Sequence, residues 1–384
     1  MATTHVFIVD TNTFKYHLEY KFAGTGAQEN SIDFNNTSKT KLHYATENNL
    51  VGMIADSQRV RKGDYIIFYL QQNVSSGIYE GKFFGIFRVK EGISFLDNND
   101  DKQFLKSILK KSLTFRALIE PYKVYSKGVT EWEALDEIKY IHSPNQMLWS
   151  LIYRKLKANR GNTMITIYES ERLSKLLKDK NNRQVLTGDN FSFDSNKQEI
   201  FSTSIPHKYL GRMEKINILP RLLCKHIENK SFECHLQAYI VQNIGKNALP
   251  DLNNILLSNY SLEWIGNEVS CGVGMQRIDI MLSLFRFDNE RIIVPIELKT
   301  VEASVENIIQ IQRYVDWIQQ YYLPNRISDI CPVLIAKKPK NRNFFSNIRA
   351  SFKDFNKRNS ICLSLKYIEF EIYNNSLIFN EIQY

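Results

Sequence analysis

The chain has 384 residues, 43% hydrophobic and 24% charged, a composition that excludes a disordered or collagen-like protein and, at roughly 150 residues per domain, predicts two domains. Its 50 lysines and arginines outnumber 41 acids, a formal net charge of +9, which favours a polyanionic partner, nucleic acid first, over a merely solubilising excess. The five cysteines (Cys224, Cys234, Cys271, Cys331, Cys362) are odd in number and never at C-x-x-C spacing. Together with the lack of a signal-peptide pattern or a run of about 18 apolar residues, they predict a reduced, cytoplasmic protein without a membrane partner.

In chain order, residues 5–120 read mostly as strands. Val6–Val9 is a short apolar run, and Asp64–Leu70 follows the turn signal Lys62-Gly63. Gly77–Val89 is aromatic, β-branched and broken by glycines, as barrel strands often are. A further strand is predicted over Leu113–Tyr125, ending at Pro121 or shortly after. Helical periodicity follows at Trp132–Ile138, Gln146–Leu156 and Tyr168–Lys178. The stretch Asn181–Pro206 is dense in Asn, Gln, Ser, Asp and Thr and reads as a linker or long loop. The alternative is an ordered excursion pinned by Phe191, Phe193 and Phe201. The expected organisation is therefore a domain over 1–180, a linker over 181–212 and a second domain over 213–384.

That second domain reads as a mixed α/β core, so the whole is an α+β chain of two domains. Helices are predicted at Met213–Ile227, Ser231–Asn243, Ala303–Tyr322 and Asn343–Asn356. Strands are predicted at Leu262–Ser270, Arg277–Phe285, Arg291–Leu298, Cys331–Ala336 and Ile361–Tyr373.

Two of these apolar strands carry charges. Arg277-Ile-Asp279 opens one, a turn follows near Asp288-Asn-Glu290, and the next ends Glu297-Leu298-Lys299. Strand alternation puts Glu297 and Lys299 on one face, and the hairpin brings Asp279 beside them. Buried charges cost several kcal/mol each, on the order of what pairing or a metal must offset. Two carboxylates and the Leu298 carbonyl are hard oxygen ligands suited to Mg²⁺, with Mn²⁺ as a substitute. Lys299 could then meet a phosphate oxygen or help to deprotonate water. The plainer reading is a salt bridge at a sheet edge. On the next helix Gln310 and Tyr314 are four apart and share a face that a crossing helix can aim at the carboxylates. Gln312 competes with Gln310 but lacks the four-residue step to Tyr314.

In these motifs the chain resembles the PD-(D/E)xK nuclease superfamily, in particular its RecB-like members with a Q-x-x-x-Y motif and the NucS-type nuclease domain. The resemblance covers about residues 213–340. It implies a restriction-endonuclease-like mixed sheet flanked by helices, with Asp279 and Glu297 as metal ligands, Lys299 catalytic, and Gln310 and Tyr314 organising the site and contacting DNA. Glu233 falls where the superfamily often has a helix glutamate near the metal. The interval from Asp279 to Glu297 is long for the family. Lys62-Gly-Asp64-Tyr-Ile-Ile-Phe-Tyr and Gly81-Lys-Phe-Phe-Gly-Ile-Phe-Arg-Val are similar to the PUA-like group, which includes EVE and YTH domains. Over about residues 1–175 this implies a β-barrel with helices that reads nucleic acid, taking a base into an aromatic pocket.

Trp132 and Trp149 are candidates for such a pocket, or else core residues. Candidate DNA contacts are Arg277 and the cluster Arg154, Lys155, Lys157 and Arg160; a second basic cluster is Lys106, Lys110, Lys111 and Arg116. Either cluster could equally be a solvated helix face. The histidines have no metal spacing, and no P-loop or G-x-G-x-x-G is present. The reading is a Mg²⁺-dependent endodeoxyribonuclease acting on double-stranded DNA, a restriction enzyme that could read a modified or flipped base. Double-strand cleavage by one site per chain would call for a homodimer. The rivals are a mismatch- or structure-specific repair nuclease and a non-catalytic nucleic-acid-binding protein.

Overall fold

Each half of the chain builds its own sheet. The computed structural model describes residues 3–26, 44–92, 94–136, 161–271, 276–340 and 345–384. The helix expected at 146–156, with Trp149, Arg154, Lys155, Lys157 and Arg160, lies outside the described residues. The chain divides into one unit of Met1–Asp33 and Asp56–Ile216 and another of Phe34–Ala55 and Asn217–Tyr384. Among the described residues no helix is long and apolar enough to cross a membrane.

In the first unit β1 (Thr4–Val9) runs into α1 (Thr11–Glu19). Asp10 caps that helix by accepting the Thr13 N–H at 2.8 Å. There follow β2 (Phe22–Thr25), β3 (Tyr65–Leu70), β4 (Lys82–Val89), β5 (Phe95–Leu96), β6 (Phe115–Pro121), β7 (Val129–Thr130), β8 (Asn162–Ile165) and α3 (Ile167–Lys180), while most of the helix α2 (Tyr44–Gln58), between β2 and β3, belongs to the second unit. The eight strands make a curled half-barrel sheet in the order β2-β6-β4-β3-β1-β8, with β5 on β6 and β7 on β4. Among the described strands of this sheet only β1 and β3 pair in parallel, so the chain must cross over between them, through α1, β2 and α2. Gly63 makes the turn before β3 at φ +88°, and its N–H donates to the Val89 carbonyl at the end of β4. Strand β3 is buried on both faces. Ile66, Phe68 and Leu70 enter one cluster, Ile67 and Tyr69 the other, which is why its sequence is apolar without alternation.

The expected linker over 181–212 belongs to this unit instead. Strands β9 (Phe191–Asp194) and β10 (Glu199–Ser202) form a hairpin. Phe191, Phe193 and Ile200 are buried in the cluster of Phe14 and Phe84, and the Phe193 ring lies 4.6 Å from that of Phe14. Phe201 points outward. Beyond the hairpin, Arg212 pairs with Asp100 at 2.8 Å and Asp97 at 3.3 Å. The polar composition misled because only three side chains per hairpin need be apolar to close this core.

The second unit contains α4 (Leu219–Ile227), α5 (Glu233–Asn243), α6 (Pro250–Leu256), β11 (Ser261–Ser270), β12 (Arg277–Phe285), β13 (Arg291–Lys299), α7 (Val305–Trp317), β14 (Asp329–Ile330), β15 (Val333–Lys337), α8 (Phe345–Arg358), β16 (Lys366–Tyr373) and β17 (Ser376–Ile382). Its mixed sheet runs β11-β12-β13-β15-β16-β17, with β14 on β13. Strands β13, β15 and β16 are parallel neighbours, and antiparallel hairpins flank them on both sides. Strand β17 was not expected from the pattern. Its signal is Asn374-Asn375, both left-handed (φ 49° and 59°), a two-residue hairpin turn. From α2, Glu47 joins this unit through Arg221 (2.6 Å), His235 (3.0 Å) and Lys225 (3.2 Å), all buried.

Candidate active site

The site lies where β12 begins and β13 ends. Strands β12 and β13 are paired from Phe285↔Arg291 to Ile280↔Ile296, so Asp279 and Glu297 fall one step beyond the last pair. The Leu298 N–H donates to Asp279 Oδ2 at 2.8 Å and ties the two strand ends together. β13 is an interior strand, and Glu297 is fully buried. Lys299, two residues on, brings Nζ to 2.6 Å from Glu297 Oε1 and donates to the Leu298 carbonyl at 2.9 Å.

Helices supply the rest. Tyr314 on α7 places its hydroxyl 2.5 Å from Glu297 Oε2 and 2.8 Å from the Arg277 carbonyl. Gln310, one turn earlier, donates to that hydroxyl at 2.7 Å. A phenol has one proton, so Gln310 fills the acceptor side and the proton is shared toward the carboxylate and the carbonyl. Gln312 points elsewhere, to Asn359 and Asp316. On α5, Glu233 lies 3.5 Å from Lys299 Nζ. One turn later Gln237 donates to the Asp279 carbonyl at 2.7 Å. Gln237 was not singled out in the sequence, although its four-residue step from Glu233 is the same signal that Gln310 and Tyr314 carry.

The electrostatics follow from burial. Burial, and then the neighbouring Glu297 charge, holds the Asp279 carboxyl well above the usual carboxylate range. Burial also raises Glu297, against the opposing pull of Lys299. For Lys299, burial works against the charge, but Glu297, Glu233 and Asp279 more than offset it and the net shift is upward. Burial and the same two carboxylates push the Cys271 thiol up to about 12. Three acids, Glu297, Asp279 and Glu233, lie around a single ammonium here.

Among the described residues, no three His, Cys, Asp or Glu side chains already converge as a metal site. The donor chemistry nevertheless suits a hard cation. Glu297 Oε1 is buried facing the Lys299 ammonium at 2.6 Å, and Asp279 stands beside it. The Leu298 carbonyl is at the same point and accepts from Lys299.

The other candidates fall elsewhere. The Arg277 guanidinium pairs with Glu268 at 2.7 Å on the neighbouring strand. Trp132 is 64% exposed on a short helix of the first unit, which answers the core-or-pocket question against the core. In the second basic cluster Arg116 is buried against Asp97 and Lys111 pairs with Asp10, so these serve the fold. No protein-family model matches the chain, and no curated protein matches its sequence.

Proposed function

We propose that the second unit is a metal-dependent phosphodiesterase of the PD-(D/E)xK type, with a restriction-endonuclease-like fold, and that the protein is a DNA endonuclease acting in restriction. The observation that carries this reading is the meeting of Asp279, Glu297, Lys299, Gln310, Tyr314 and Glu233 at one end of a mixed sheet. Those residues come from two strands and two helices, and a salt bridge at a sheet edge would not require the glutamine and tyrosine behind it.

Asp279 and Glu297, with the Leu298 carbonyl, would hold Mg²⁺ or Mn²⁺. Bound there, the ion would polarise the phosphoryl group and lower the pKa of a water. Lys299 keeps its charge and can stabilise a phosphate oxygen or donate a hydrogen bond to the attacking water. Tyr314 orients Glu297, and Gln310 orients Tyr314 by filling its acceptor side. Glu233 holds the Lys299 ammonium from the other direction. The first unit, read as a PUA-like barrel, would then recognise the DNA, with a modified or flipped base as the feature read.

The test is digestion of matched unmodified, methylated and hydroxymethylated plasmids with Mg²⁺, by the native protein and by Glu297→Gln. Discrete fragments from the native protein alone are expected. Products from mismatched duplex only would replace restriction by repair. Binding without cleavage under Mg²⁺ and Mn²⁺ would overturn the enzymatic reading.

A further inference from the structure

Behind the helix that carries Glu233 and Gln237 lies a buried cluster of charge. Glu47 of α2, in the stretch that belongs to the second unit, is buried. Its Oε1 accepts from Arg221 Nε at 2.6 Å and from His235 Nε2 at 3.0 Å. Its Oε2 accepts from Arg221 Nη2 at 3.0 Å and lies 3.2 Å from Lys225 Nζ. Burial works against the charge on Glu47, yet the hydrogen bonds of His235 and Arg221 outweigh it and hold the carboxyl well below the usual carboxylate range. One ionised acid thus joins α4, which supplies Arg221 and Lys225, to α5, which supplies His235.

His235 stands between Glu233 and Gln237, two residues or about 200° of helical turn from each, so it grips α5 from roughly the opposite side. On the near side Glu233 lies 3.5 Å from Lys299 Nζ and Gln237 donates to the Asp279 carbonyl at 2.7 Å. Leu236, Ala238, Ile240 and Val241 pack the rest of α5, but apolar contact is non-directional and leaves the rotation of a helix loosely set. A buried ion cluster is a poor source of stability: desolvation costs several kcal/mol per ion, on the order of what pairing returns, and an apolar replacement is often as stable. Its hydrogen bonds do fix direction. We propose that Glu47 is a positioning residue of the candidate active site: by holding His235 it sets the rotation and depth of α5, and with them the place of Gln237 against Asp279 and of Glu233 against Lys299. The effect on cleavage rests on the nuclease reading of the carboxylates; the placement does not.

The test uses the full chain and two variants. His235→Phe cuts the link to α5 and leaves Glu47 with Arg221 and Lys225, whereas the amide nitrogen of His235→Gln can replace Nε2 as donor. One readout is single-turnover cleavage of plasmid DNA at saturating Mg²⁺. The other, without metal, is hydrogen exchange of the Leu298 amide, which donates to Asp279 Oδ2. His235→Phe should match or exceed the native Tm, because it places an apolar ring in a buried position. It should nevertheless cut about 10- to 100-fold more slowly, the effect of a misplaced site, and exchange Leu298 faster. His235→Gln should recover most of both. If His235→Phe does not fold, Glu47→Asp, which keeps the charge and draws the carboxylate back by one methylene, takes its place with the same two expectations. Native rates of cleavage and exchange in the variant overturn the proposal, as does a defect that His235→Gln shares in full. If the native chain cuts no DNA, the nuclease reading falls, and Leu298 exchange by itself still decides the placement.

Discussion

Glu297 is buried, and each of its oxygens faces a different kind of group: an ammionium-bearing Lys299 on one side, a phenol held by an amide on the other. Removing the phenol oxygen should therefore loosen the carboxylate rather than delete it. Tyr314→Phe should slow Mg²⁺-dependent cleavage about 10²-fold by misplacing Glu297 and cost about 1–2 kcal/mol in stability, since Glu297 and the Arg277 carbonyl each lose a donor. Gln310→Ala should slow cleavage less, and Gln312→Ala hardly at all, because Gln312 binds Asn359. Single-turnover rates of the three variants decide this; a crippled Gln312→Ala with a normal Gln310→Ala would refute the geometry. A second residue-scale effect concerns folding. His17 is buried with Nδ1 2.9 Å from the Phe22 carbonyl, and burial lowers its pKa to about 3. An unfolded chain titrates the same ring near its ordinary value of about 6.5. Stability from the neutral ring is thus complete above pH 6.5 and is lost as pH falls toward 3, about 2 kcal/mol of it between pH 8 and pH 5. Denaturation at these two pH values should show a smaller loss in His17→Phe than in the native chain. An equal loss in both would rule out the buried neutral histidine.

At the scale of elements, the hairpin β9–β10 shows how little apolar sequence is needed to close a core. Phe193 touches Phe14 of α1 and Phe84 of β4. Phe193→Ala should cost about 3–5 kcal/mol, the range for an aromatic ring deleted from a packed core. A fragment ending near Lys180 would strip Phe191, Phe193 and Ile200 from that cluster, whereas one ending at Ile216 keeps them and the Arg212 pairs. Urea denaturation should therefore find the longer fragment cooperative and the shorter one not; equal behaviour would mean that the hairpin is an appendage. The same scale explains the site. Asp279 and Glu297 are 18 residues apart in sequence, and antiparallel register alone makes them neighbours. Helix α7 then crosses the sheet so that its Gln310–Tyr314 face meets the end of β13.

At the scale of the whole molecule, two sheets form from a chain that is not cut once. Residues 44–55 belong with the second unit, and Glu47 there gathers Arg221, Lys225 and His235. A piece beginning at Met213 lacks Glu47 and leaves buried cations without their acid, a cost of several kcal/mol, on the order of 3–5, for a broken buried pair. Metal binding as proposed would also have a global readout. At about 100 times its Kd, Mg²⁺ would stabilise the folded state by about 2.7 kcal/mol, raising Tm by about 5–10 °C in a unit of this size. Asp279→Asn should abolish that rise. It should leave the metal-free Tm equal to or above that of the native chain, because it removes a buried charge that repels Glu297. A Mg²⁺ shift that persists in Asp279→Asn would place the ion elsewhere.

The sequence alone determined the elements whose signals are local: the apolar run of β3 after Lys62-Gly63, the hairpin of β12 and β13, and the pairing of Glu297 with Lys299 by strand alternation. It also brought Gln310 and Tyr314 onto one helical face, because that needs only a period of 3.6 residues. Tertiary structure alone decided that Gln237 reaches the Asp279 carbonyl from the helix of Glu233, and that the hairpin of residues 191–202, rather than a linker, closes the first core. It also decided that Glu47 belongs with the second sheet. The reason is physical: periodicity specifies which side chains share a face, while the neighbour that covers the face comes from distant chain and leaves no mark in local composition.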